Sequence, residues 1–151
     1  MEPLYQGSRY GWKASDFHDK RDNKGAKITV IRSTDGFIFG GYSDKSWTFS
    51  RGWRESYKSF LFSLKSPQNT VGPTNMRIRK YECSYAMCHI SSYIPTFVGG
   101  NDLNIANDAN NDNNSYSNIG CTYDIPPGQT KNFLVGSKYF KVSKMKAFHI
   151  I

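Results

Sequence analysis

No apolar run in the 151 residues approaches the ~20 that a membrane-spanning helix requires. The opening MEPLYQGSRYGW also lacks the apolar stretch of a secretory signal. The chain is therefore expected to be soluble and cytoplasmic, with no membrane insertion. Cysteine is scarce, at three residues: Cys83, Cys88 and Cys121. An odd number without a signal argues against a disulfide framework and for free thiols in a reducing compartment. Glutamate is as sparse, with Glu2, Glu55 and Glu82 each lacking a recognisable acidic partner for glycoside cleavage. There is no G-x-S-x-G elbow to raise a nucleophile. Gly40-Gly41 and Gly99-Gly100 are too sparse for a phosphate loop. A zinc set from Cys83, Cys88, His89 and Cys121 is disfavoured. On a strand Cys83 and Cys88, five apart, face opposite ways, and so do neighbouring Cys88 and His89. His18 and His149 read as structural histidines. No catalytic site assembles, so the expectation is no enzyme, no cofactor and no metal.

What is present is aromatic and basic. Ten Phe and ten Tyr argue against a disordered chain. A chain of this length buries roughly 68–70% of its unfolded surface and suits one domain, residues 1–151. That domain is expected to be part of a larger protein or excised from one. The net charge of +8 is uneven. Residues 1–82 carry fifteen Lys/Arg against eight Asp/Glu, and residues 131–151 carry five Lys and no acid. Between them, residues 99–130 carry four Asp and no base.

The hydrophobic pattern has a period of two over most of the chain. A short helix is expected over SDFHDKRDNKG, with Ser15 as N-cap and Asn23 or Gly25 as its end. KITVIR (27–32) and GFIFGGY (36–42) flank Ser33-Thr34-Asp35-Gly36, a strong hairpin signal. Further strands are expected at 59–64, 76–81, 85–90 and 144–150, with shorter ones at 96–99, 102–105 and 120–123. Residues 50–59 read as a second short helix or a loop. The core is expected to include Phe60, Phe62, Ile28, Val30, Phe37 and Phe39. Together these define a mostly β, α+β fold: an antiparallel β-sandwich of two sheets flanked by one or two short helices.

The stretch GGNDLNIANDANNDNNSYSNIG (99–120) offers the candidate contact residues Asp102, Asp108, Asn110 and Asp112. Lys144 and Lys146 offer a second, basic surface. Asp108, Asn110 and Asp112 match the start of a calcium loop, but Asn113 replaces the required Gly and Ile119 the bidentate Glu. A long ordered turn, built from residues that tolerate the left-handed backbone, is the better reading of that loop. Arg77, Arg79, Lys80 and the C-terminal lysines could bind a polyanion or nucleic acid, which is disfavoured against solvated strand faces. A thiol-reactive redox protein is the remaining alternative.

The order LYQGSRYGWKASDFHDKRDNKG, ITVIRSTDGFIFGGYSDKSW, SFLFSLKS, PTFVGGNDL, SYSNIGCTY and KMKAFHII resembles the TLDc domain, a family related to oxidation-resistance proteins. The likeness is strongest to its divergent invertebrate, protist and fungal branch, and it runs from Leu4 to Ile151. The resemblance implies a β-sandwich with short flanking helices. It implies a non-enzymatic protein-interaction role in oxidative-stress protection, with a vacuolar proton ATPase subunit as a possible partner. Three departures stand out. Arg21 sits where the family usually has Cys, and Lys144 and Lys146 replace acids of the usual closing strand.

Overall fold

A computed structural model of the protein describes residues 5–13, 15–16, 25–44, 52–54, 58–68, 72–79, 87–89, 96–97 and 102–150. In chain order the first elements are β1 (Tyr5–Gln6), α1 (Gly7–Tyr10), β2 (Lys27–Ser33), β3 (Ile38–Ser43), β4 (Gly52–Arg54), β5 (Phe60–Lys65) and β6 (Thr74–Arg77). Then follow β7 (Met87–His89), β8 (Thr96–Phe97), β9 (Leu103–Asn104), β10 (Ser115–Ser117), β11 (Tyr139–Phe140) and β12 (Val142–His149). A six-stranded sheet runs β1-β12-β2-β3-β5-β6, a four-stranded sheet runs β11-β10-β9-β8, and β4 pairs with β7 alone. Every pairing among the described residues is antiparallel.

The expected hairpin forms. The amide of Gly36 donates to Ser33 O at 2.9 Å and that of Ser33 to Phe37 O at 3.0 Å. Gly36 has a φ of 90°, a left-handed backbone that glycine adopts without a Cβ clash. The turn pins the register, setting Ile31 opposite Phe39 and Val30 opposite Gly40.

That register corrects the expected core. On β2 the buried side chains are Lys27, Thr29, Ile31 and Ser33, while Ile28 and Val30 are half-buried on the opposite face. Ile31, Phe39, Leu61, Met76, Met145 and Ala147 belong to one cluster with Leu103 and Phe140 of the second sheet. The rings of Phe39 and Phe140 meet edge-on, centroids 5.3 Å apart, and tie the two sheets together. Phe62 is also buried, but on the outer face: a Cβ on Gly40 would stand 2.8 Å from its ring. Phe37 packs against the core from a half-buried position, and Phe60 is half-buried.

Other expectations shift as well. Residues 52–54 form a strand, not a helix or loop. Residues 120–123 form no strand, although Tyr123 makes a single bridge to Ile78. Ser15 is already helical and not a cap, and the amide of Lys13 donates to the Asp16 carboxylate at 3.0 Å. The expected helix from residue 17 to 24, with His18, lies outside the described residues.

Two buried segments carry no sequence expectation. Tyr5 is fully buried, and its hydroxyl donates to Gly11 O at 2.7 Å. Phe133, Leu134 and Val135 bury themselves in a turn closed by the Gly136 amide on Asn132 O at 2.7 Å.

Candidate functional site

The long Asn/Asp stretch is a folded turn. Asp108 has a φ of 55°, and it is the one described non-glycine residue with a positive φ. Asx residues tolerate this conformation because their short polar side chains bond the nearby main chain. The amide of Asn111 donates to Asp108 O at 2.9 Å, and that of Asn114 to Asp112 Oδ1 at 2.6 Å. The turn is also anchored from outside. The amide of Asp108 donates to Trp12 O, and that of Val142 to Ala109 O, each at 3.0 Å. Ala109 is fully buried beneath it. Asn110 and Asp112 are half-buried on the same turn. Among the described residues no three His, Cys, Asp or Glu side chains gather as a metal site would require.

Asp102 is different in kind. It is fully buried, so it offers no accessible contact surface. Its carboxylate accepts from the amides of Gly120 at 3.1 Å, Thr122 at 3.0 Å and Tyr123 at 2.9 Å, while its own carbonyl accepts from Asn118. Burial pushes its carboxyl above the usual carboxylate range, against the opposing pull of the Tyr123, Thr122, Gly120 and Cys121 amides. One carboxylate therefore organises residues 120–123, where an extended strand was expected.

Lys144 and Lys146 lie exposed on β12, on the outer face of the six-stranded sheet. Lys144 stands directly opposite Arg32, and Lys146 opposite Val30. With Ile38, Met145 and Phe148, these residues line an open hollow of about 280 Å³. The structure thus brings the two lysines together with Arg32, Val30, Ile38 and Phe148, none of which the sequence reading assigned to a surface. The alternation of β12 was the available signal, but it needed the register with β2 to become a site. Among the described cysteines, Cys121 is an exposed free thiol and Cys88 falls within β7; Cys83 lies outside the described residues.

A mostly β domain whose described residues form two larger antiparallel sheets and a further strand pair, with an anchored polar turn at one place and a cationic sheet face at another, is the class these features define. The chain belongs to the TLDc domain family, whose model matches residues 1–151. It is also 40% identical over 61 residues to the MTOR-associated protein MEAK7 of Gallus gallus, a stretch covering 40% of this chain and 13% of that protein. Among the described residues no helix is long and apolar enough to cross a membrane.

Proposed function

We propose that this TLDc domain is a non-catalytic, cytoplasmic protein-interaction domain that contributes to protection against oxidative damage. The observation that carries this reading is the family match along the whole chain. The family resemblance makes a vacuolar proton ATPase subunit the first partner to test. The relative described as MTOR-associated makes a signalling complex the second.

Two measurements test it. Proximity labelling with the tagged protein in its own cells, read by mass spectrometry, should return protein partners above an untargeted control; an empty result overturns the reading. Purified protein should consume hydrogen peroxide no faster than a variant with Cys83, Cys88 and Cys121 changed to Ser. A thiolate poised for peroxide chemistry needs an electropositive setting. Cys121 follows the acidic turn, and the nearby Arg79 guanidinium is engaged in donating to Gly120 O at 2.6 Å. A clear difference in turnover would make the domain a redox protein.

A further inference from the structure

The outer face of the six-stranded sheet is ordered in rows. Cross-strand pairing places Lys146, Val30, Gly40 and Phe62 side by side, and in the next row Phe148, Ile28, Tyr42 and Phe60. The Tyr42 and Phe60 rings stack at 5.1 Å. The third row begins with Lys144, Arg32 and Ile38. This face is therefore apolar across several strands. Cations also end rows on the far side, where Lys65 stands opposite Ile38 and Arg77 opposite Phe60, while Lys144, Arg32 and Lys146 form the near margin. At that margin it opens into the hollow of about 280 Å³.

Among the described residues the charges of the hollow are uncompensated. Arg32, Lys144 and Lys146 are exposed, no acid lines the hollow, and none of the three has an ion pair among the described residues. Lys144 and Arg32 face each other directly, an arrangement of like charges that destabilises a strand pair. The bulge beside them is held by the Ser143 hydroxyl donating at 3.2 Å to Arg32 O, so the arrangement is fixed and not a fraying end. A solvated strand face calls for mixed charge over a polar surface. Here three cations of one sign surround half-buried apolar side chains.

We propose that this cation-rimmed hollow is the docking site for an acidic amphipathic segment of a partner protein, with one or two large apolar side chains seated on Val30, Ile38 and Phe148 and flanking carboxylates on Arg32, Lys144 and Lys146. The proposal rests on the reading of this domain as a protein-interaction module. Charge complementarity selects acids, and the apolar floor selects a segment that carries hydrophobic side chains as well. A nucleic acid would meet the cations through phosphates and leave the floor unused. A bilayer surface would span the hollow without filling it, since a concavity receives an inserted side chain.

A random-peptide display library selected on the 151-residue protein tests this directly. The selected sequences should be net acidic and contain large apolar residues. Their affinity should fall at least tenfold in Lys144→Glu/Lys146→Glu and several-fold in Arg32→Gln, with melting temperatures close to wild type. Basic or neutral sequences, acidic ones that bind the variants equally, or no enrichment would overturn the site. So would tighter binding to anionic phosphatidylserine vesicles or to single-stranded DNA than to the selected peptides at physiological salt. The proximity-labelling experiment separates this site from the broader reading. If Lys144→Glu/Lys146→Glu returns the same partners as wild type, the domain binds proteins through another surface. If wild type returns none, the interaction reading falls and this proposal with it.

Discussion

Asp102 places a carboxylate where main-chain donors converge on it. Replacing it with Asn turns an amide donor toward those donors, and Ala leaves all of them without an acceptor. Each unsatisfied buried donor costs about 1–3 kcal/mol. Urea unfolding should therefore show Asp102→Asn destabilised by about that much, and Asp102→Ala by more. Two buried phenols set the alkaline limit. The pKa of Tyr123 is raised by burial and then by the nearby Asp102 charge, and that of Tyr5 by burial and then by Asp16. A folded-state pKa above the unfolded value of about 10 favours the neutral phenol in the native state. This stabilisation is fully present below about pH 10 and is lost as pH rises through the folded values. Melting temperature should therefore fall steeply above pH 10, and Tyr5→Phe should make that fall shallower. Gly40→Ala should be severe, because its Cβ would collide with Thr29 O on the neighbouring strand as well as with the Phe62 ring. Failure of that variant to lose stability would mean the β2–β3 register is wrong.

At the scale of elements, the anchored turn makes a prediction about metal. Its backbone is held by its own amides and by Trp12 and Val142. The buried Asn110 Oδ1 that lacks a partner has no cluster of three acids, Cys or His around it among the described residues, so millimolar calcium should leave the melting curve where a chelator leaves it. A rise of several degrees, abolished by Asp108→Ala with Asp112→Ala, would establish a cation site instead. Asp108→Gly should be neutral or mildly stabilising, since glycine reaches a φ of 55° without strain. Asp108→Val should lose about 1–2 kcal/mol. The turn, the Asp35-Gly36 hairpin and the long strands were legible because each is written in local pattern or local turn chemistry. The faces of β2 were not. Ile28 and Val30 are more apolar than Lys27 and Thr29, so composition alone assigns the wrong side to the core. Only pairing with Phe39 and Met145 shows that Ile31 leads the inner face. Asp102 and residues 120–123 escaped for a related reason, because a bond across some twenty residues leaves no mark in either segment. β1 and β11, two residues each, are too short to show any period.

For the molecule as a whole, charge and partner choice are coupled. At a net charge of +8 the protein will bind polyanions at low salt, and that binding should weaken steeply as salt rises through counterion release. Lys144→Glu/Lys146→Glu lowers the formal charge to +4. It should reduce this background binding and the salt slope together. Sequence-specific, micromolar or tighter nucleic-acid binding that survives physiological salt would instead point to the polyanion alternative. The relative from chicken is matched over 13% of its length, so this domain accounts for a small part of such a protein.

The order β1-β12-β2 has a consequence in time. The sheet's long closing strand is not added at an edge: it enters between β1 and β2. During synthesis β2 is complete at Ser33, yet its neighbour does not begin until Val142. At 5–20 residues per second the ribosome holds that strand edge open for roughly 5–20 s. Such an edge can pair with other chains, so a nascent copy is expected to need shielding until residues 142–149 emerge. A ribosome stalled before residue 142 should carry a protease-sensitive chain, and release of the last strand should convert it to a resistant one.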